Sequence, residues 1–150
     1  EIKWPNDVEV NGRKIAGVLV EARVTSDRRA MWVIGIGLNV NLDPSNDPQL
    51  DGAATSILDA SGNAADLDTV QNALLANLDS EFDTMKADPA VTINRWKARL
   101  TTLGQKITVH ERNRVLTGVA IDVDRNGHLL LRTNDRMVHV LTEGDVTLRS

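Results

Sequence analysis

The sequence predicts an α+β protein: a partial antiparallel or mixed sheet with packed helices, followed by a small all-β unit. Three observations carry this. Extended-type apolar runs at residues 8–10, 13–24 and 30–42 are separated only by short turns. Between residues 70 and 100 the apolar positions recur in steps of three and four, the spacing of a helix face. From Gln105 the apolar period drops to two, the spacing of strands.

In the first run, Pro5 fixes its own φ and pushes Trp4 toward an extended backbone. Asn6-Asp7 is a pair that readily bonds nearby backbone and holds a turn. Val8-Glu9-Val10 reads as a short strand, and Asn11-Gly12 as a two-residue hairpin turn, because both central positions of that turn need positive φ. The return strand covers Arg13–Val24. The hairpin thereby brings Lys14 back toward Asp7, an acid and a base in one small space. Thr25-Ser26-Asp27-Arg28-Arg29 is polar and turn-like. Residues 30–42 carry Trp32, Val33, Ile34, Ile36, Leu38 and Val40, a short β-branched run that favours a buried strand over a helix. The three strands form an antiparallel meander.

Residues 43–52 hold two prolines and three aspartates and read as a mobile loop. Residues 53–60 read as a short helix stopped by Ser61-Gly62. Asp68 and Gln71 form a capping pair, and Val70, Leu74, Leu78, Phe82 and Met85 line one face of the next helix. Asp88-Pro89 is an N-cap followed by proline at the first helical position. The helix it opens buries Ile93, Trp96 and Leu100 and ends at Gly104. Five short strands follow, at 107–109, 116–123, 128–133, 137–141 and 146–148, with turns at 124–127 and 134–136. This is the pattern of a small barrel or folded sheet. A domain boundary is placed near Leu103, giving domains 1–103 and 104–150.

Composition narrows the function classes. A chain of 150 residues allows one domain, or a partial domain plus a small one. Net charge is −4, which gives no footing for a nucleic-acid polyanion as main partner. The chain has no cysteine, so disulfides and thiolate metal sites are out, and a reducing compartment is consistent. No apolar run approaches the length of a membrane span. His110, His128 and His139 lack the spacing of metal ligands. Gly35-Ile36-Gly37 is no dinucleotide fingerprint, since Val40 stands where the third glycine belongs, and no Walker sequence occurs.

Several segments together resemble the biotin protein ligases. They are Lys3-Trp4-Pro5-Asn6-Asp7, then Arg13-Lys14-Ile15-Ala16-Gly17-Val18-Leu19-Val20-Glu21, then Gly35-Ile36-Gly37-Leu38-Asn39-Val40. Ala54-Thr55-Ser56-Ile57 follows, and later Arg95-Trp96 and Leu103-Gly104 before the β unit. The resemblance implies the biotin/lipoate ligase-type catalytic fold, related to class II synthetases, for residues 1–103. It implies a small SH3-like barrel for residues 104–150. It implies ATP with magnesium as co-substrate, biotin as substrate, and a biotin carboxyl-carrier domain as acceptor. It also implies a cytoplasmic place, leaves a homodimer open, and gives nucleic acid a role only if a DNA-binding domain lies upstream.

The resemblance assigns Lys14 to biotin and the α-phosphate of the adenylate, as the catalytic residue. Gly17 lets biotin or the backbone approach closely, or simply permits a strand crossing. Asn39, with Gly37, is assigned to the adenine, since an amide offers both donor and acceptor; the plainer reading makes Asn39 a strand-end cap. Asp7 and Asn6 either hold a turn or, for Asp7, orient Lys14 and help position magnesium indirectly; the metal ligands stay unassigned. Trp4 is read as packing that shields the pocket floor. Arg112 and Arg114 form a basic edge with Arg136, and the resemblance implies that the small C-terminal barrel packs near the active site and assists ATP or acceptor-protein binding.

There are departures. Residues 43–52 lack the tryptophan often found in the family's adenylate-ordering loop. The family's Gly/Arg-rich biotin-binding loop lies upstream of the Lys-Trp-Pro motif and is not in this chain. The expectation is therefore a C-terminal portion of a ligase with little activity alone. The alternatives are a lipoate ligase-like adenylating enzyme, or a regulatory and dimerising module of a ligase-repressor.

Overall fold

A computed structural model describes residues 1–24, 27–111 and 114–148. In chain order the strands and helices are β1 (Ile2–Lys3), β2 (Asp7–Val10), β3 (Arg13–Val24), β4 (Ala30–Leu38), α1 (Ile57–Ser61), α2 (Leu67–Ala87) and α3 (Pro89–Lys97). Then come β5 (Lys106–Glu111), β6 (Arg114–Val123), β7 (Leu129–Thr133), β8 (Val138–Leu141) and β9 (Asp145–Leu148). The result is α+β with antiparallel sheets, as the sequence predicts. Two compact units emerge: residues 6–71, and residues 1–5 with 72–150.

In the unit of residues 6–71, β2, β3 and β4 form the antiparallel meander. Asn11 and Gly12 both take positive φ, 52° and 73°, so the hairpin closes on the turn its residues favour. Buried side chains are few and small: Ile15, Ala16, Ala54, Thr55 and Ser56 among them.

Residues 30–42 depart from expectation. The strand ends at Leu38 and is largely exposed, with Trp32 66% accessible; on β3, Leu19 is 60% and Val24 77% accessible. The β-branched run sets an extended backbone, but burial requires a second layer on each face, and apolar content alone does not supply one.

The expected helix at 53–60 is also shorter than predicted. It begins at Ile57, capped by the Ser56 hydroxyl accepting from Asp59 N at 3.0 Å, and ends at Gly62 in the left-handed region. Residues 53–56 are not helical: Ala53 ends a turn and Ala54 bridges Lys14, because Lys14 and Asn39 take up backbone groups of the segment. The cap expected from Asp68 and Gln71 is made by Asp66, whose Oδ1 accepts from Thr69 N and Oγ1. The two aspartates are two residues apart, and only Asp66 precedes the first helical turn. The stripe on α2 is half-buried at Val70, Leu74 and Leu78 and exposed at Phe82 and Met85.

In the second unit, Asp88 caps α3 through Ala90 N, with Pro89 at the first position. The helix stops at Lys97 rather than Gly104; Leu100 lies beyond it, buried, and is bridged to Ile2 of β1. Strands β5–β9 make one antiparallel sheet in the order β8-β7-β6-β5-β9. Alternation puts Ile107 and Val109 of β5, and Leu129 and Leu131 of β7, into a core shared with Trp4, Leu100, Ala120, Val123, Leu141 and Val146. Trp4 is 2% accessible, and both its N–H groups are satisfied: N donates to Thr102 Oγ1 and Nε1 to the Gly127 carbonyl, each at 3.0 Å. The Trp4–Pro5 peptide is cis.

Asp124 holds the β6–β7 turn. Burial pushes its carboxyl up, but the N–H groups of His128 and Asn126 and the His128 ring outweigh this and leave it below the usual carboxylate range.

Gly118, in β6, has no room for a side chain: a Cβ there would lie 2.4 Å from the Arg132 carbonyl oxygen and 2.8 Å from its carbon. Backbone cannot yield as a side-chain tip can. Gly118→Ala should cost about 1–3 kcal/mol, read as a lower denaturant midpoint; an unchanged midpoint would contradict the close crossing of β6 and β7.

Candidate active site

The site residues of the 6–71 unit gather on β2, β3 and β4. Across the sheet, Asp7 pairs with Gly17 and Gly17 with Gly37. Directly opposed residues share a face, so a carboxylate and two glycines stand in one row. By strict alternation Lys14, three residues before Gly17, would point to the other face. A β-bulge reverses this. The register runs from Val8↔Ala16 to Glu9↔Lys14 and skips Ile15. The extra residue shifts the alternation by one and returns Lys14 to the Asp7 face.

The consequence is an ion pair, Lys14 Nζ to Asp7 Oδ1 at 2.5 Å, with the side chains 48% and 23% accessible. The pair lies over Gly17. A Cβ at Gly17 would be 3.3 Å from both Cε and Nζ of Lys14 and 3.7 Å from Asp7 Oδ1. The glycine therefore leaves room for the ammonium itself. At Gly37 a Cβ would meet nothing within 4 Å. Beside the ammonium, then, lies open space over bare backbone, a floor on which a flat ring can rest.

Asn6 is engaged locally. Its Nδ2 donates to the Val18 carbonyl at 2.8 Å, and its own carbonyl accepts from Val18 N at 3.0 Å. Both bonds tie Asn6 across to β3 rather than to its own turn. Asn39 follows the end of β4. Its N donates to Ile15 O, its carbonyl accepts from Ile57 N, and Nδ2 donates to the Thr55 carbonyl at 3.0 Å. The strand-end cap is thus formed, with one amide N–H committed to it. Trp4 sits in the core of the other unit. Arg114 pairs with Glu111, Arg136 takes positive φ in the β7–β8 turn, and Arg112 and Thr25-Ser26 lie outside the described residues.

Residues to which the sequence assigned no site role complete the site. Ala53 and Thr55 flank Lys14 as an added strand: Lys14 N donates to Ala53 O at 3.0 Å, and Thr55 N to Lys14 O at 2.8 Å. Thr55, fully buried, donates its hydroxyl to Asp59 Oδ2 at 2.6 Å, and the same oxygen receives Arg13 Nη1 at 2.8 Å. The sequence signals for this are the Ala54-Thr55-Ser56-Ile57 segment and Ser56-x-x-Asp59, a helix-start pattern.

Among the described residues no three His, Cys, Asp or Glu side chains come together as a metal site. Asp7 shares its face with Glu9, which stands directly opposite Lys14 in the register, and one Asp7 oxygen is held by Lys14. Magnesium ordinarily binds through one or two carboxylates together with substrate phosphates. No described helix is long and apolar enough to cross a membrane.

Comparison with known proteins agrees with this architecture. The biotin/lipoate A/B protein ligase family matches residues 1–39, and the biotin protein ligase C terminal domain matches residues 102–149. The biotin–[acetyl-CoA-carboxylase] ligase of Mycobacterium tuberculosis is 34% identical over 147 residues, 97% of this chain and 52% of that protein. The bifunctional ligase/repressor BirA of Bacillus subtilis is 33% identical over 137 residues, 90% of this chain and 42% of that protein. This chain thus spans about half the length of these curated relatives. The fold matches the biotin protein ligase of Aquifex aeolicus, with TM-score 0.82 to its apo structure and 0.78 to its complex with biotin and ATP. Both are 23% identical and cover 99% of this chain, and 64% and 61% of the Aquifex chains.

Proposed function

Since the chain belongs to the biotin protein ligase family, we propose that the protein carrying it activates biotin with ATP and passes it to a lysine of a biotin carboxyl-carrier domain. In the first step a biotin carboxylate oxygen attacks the α-phosphorus, and pyrophosphate leaves. In the second the acceptor lysine amine attacks the acyl carbon of biotinoyl adenylate, and AMP leaves. Both reactants of the first step are anions. The Lys14 ammonium lowers their repulsion and meets charge that builds on the phosphoryl oxygens.

The observation that carries this reading is the Lys14–Asp7 pair over Gly17, beside the open backbone at Gly37. Asp7 fixes where the ammonium stands before any substrate arrives, which is the preorganisation that makes such a donor effective. The glycine floor accepts a planar ring, and Asn39 presents an amide at the end of the same strand for adenine. We keep residues 1–103 as the catalytic portion and 104–150 as a small SH3-like accessory domain. A cytoplasmic place is part of the same proposal, and ATP as co-substrate is compatible with it. A DNA-binding role is assigned to none of these residues.

The test is pyrophosphate exchange into ATP by the full-length protein, with biotin or lipoate supplied. Biotin-dependent exchange is expected, with lipoate giving little. Exchange that depends on lipoate instead would replace this reading with the lipoate ligase one.

A further inference from the structure

Thr55 is a polar residue with no accessible surface, in a short non-helical segment that leads into a helix of only five residues. Neither element is long enough to hold itself. What holds them is a run of bonds that passes through both candidate substrate-contacting residues. Thr55 N donates to the Lys14 carbonyl and Thr55 O accepts from Asn39 Nδ2. The Thr55 hydroxyl ends on Asp59 Oδ2, and Arg13, the chain neighbour of Lys14, closes the circuit onto the same oxygen. Ser56 ties the segment down on the far side, donating to the Leu42 carbonyl at 2.6 Å.

From this geometry we infer that Thr55 and Asp59 are positioning residues, setting the place of the Lys14 ammonium and its distance from Asn39. The inference rests on the reading of Lys14 and Asn39 given above. Its logic is mechanical. Lys14 sits next to the bulge at Ile15, where ladder pairing is broken. On its other side the backbone is held by Ala53 and Thr55. If Thr55 loses its anchor, the bulge can relax, and the side chain that the bulge turned toward Asp7 is no longer fixed there. Asp59 acts at one remove. It holds Thr55 from the helix side and Arg13 from the strand side, so it ties α1 to the start of β3.

The test measures the lysine directly, apart from catalysis. In the full-length protein, trace acylation followed by mass spectrometry gives the reactivity of Lys14 relative to Lys86, an exposed lysine on α2. Thr55→Val removes the hydroxyl and keeps the shape; it should raise Lys14 labelling several-fold against Lys86. Thr55→Ser, which keeps the hydroxyl, should restore the wild-type ratio. In the exchange assay Thr55→Val should lower kcat by about tenfold to a hundredfold, the effect of an ångström-scale misplacement, with less change in KM. Should Thr55→Val fail to fold, Asp59→Asn carries the same measurement, since it keeps an acceptor for Thr55 and weakens the hold on Arg13. An unchanged labelling ratio in the folded variant would overturn the inference, whatever the activity. A shifted ratio in a protein without biotin-dependent exchange would leave the positioning role standing and remove the ligase reading.

Discussion

Lys14→Ala should abolish most adenylate formation while leaving the fold in place. Biotin-dependent pyrophosphate exchange is expected to fall by about a hundredfold to a thousandfold, the effect of removing one preorganised donor worth about 3–4 kcal/mol. The fold should persist because the structural bonds at this position are made by the backbone, to Ala53 and Thr55, and alanine keeps both. The side chain itself is half accessible and buries little. A second effect adds to the first. With the ammonium gone, the Asp7 carboxylate faces the site without this partner, and the local charge becomes more negative just where phosphates must enter. The double variant Lys14→Ala with Asp7→Asn should therefore recover part of the lost rate, though not reach wild type. Near-wild-type exchange by Lys14→Ala, with an unchanged thermal midpoint, would remove the ammonium from the mechanism.

Much of the fold behind this prediction was legible in local residue chemistry. Asn11-Gly12, Ser61-Gly62, Asp88-Pro89 and Asp124–Gly127 each punctuate the chain by a mechanism confined to a few residues, and each does so where expected. The approach of Lys14 to Asp7 was legible from the hairpin, but the reason they share a face was not. A bulge is a property of two paired strands, and no residue type at Ile15 announces it. The same holds for residues 53–56. Alanine and an apolar tail favour a helix locally, but unpaired backbone on Lys14 and Asn39 offers a better set of hydrogen bonds, and tertiary pairing prevails over propensity. Burial of β4 was overestimated for a related reason: an apolar strand states what it can bury, not what covers it.

The floor of the site gives the second large effect, through two glycines that should fail differently. At Gly17 an added methyl would press on Cε and Nζ of Lys14, at 3.3 Å. The tip of a lysine is flexible, so the cost to stability is small, but the ammonium must give way and its placement against Asp7 is disturbed. Gly17→Ala should therefore lower kcat by about tenfold, and the branched Gly17→Val by about a hundredfold, on the scale at which small misplacements reduce rate. At Gly37 a methyl meets no protein atom within 4 Å and leaves Lys14 untouched. It would project instead into the space a flat ring needs. Gly37→Ala is expected to raise KM for biotin or ATP while kcat stays close to wild type, the signature of lost binding common to ground and transition states. Steady-state exchange kinetics of the two variants, each referred to its own thermal midpoint, separate these outcomes. If Gly17→Val keeps full kcat, the ammonium over that glycine is not where the reaction occurs. If Gly37→Ala leaves both constants unchanged, the open backbone beside it does not receive a substrate.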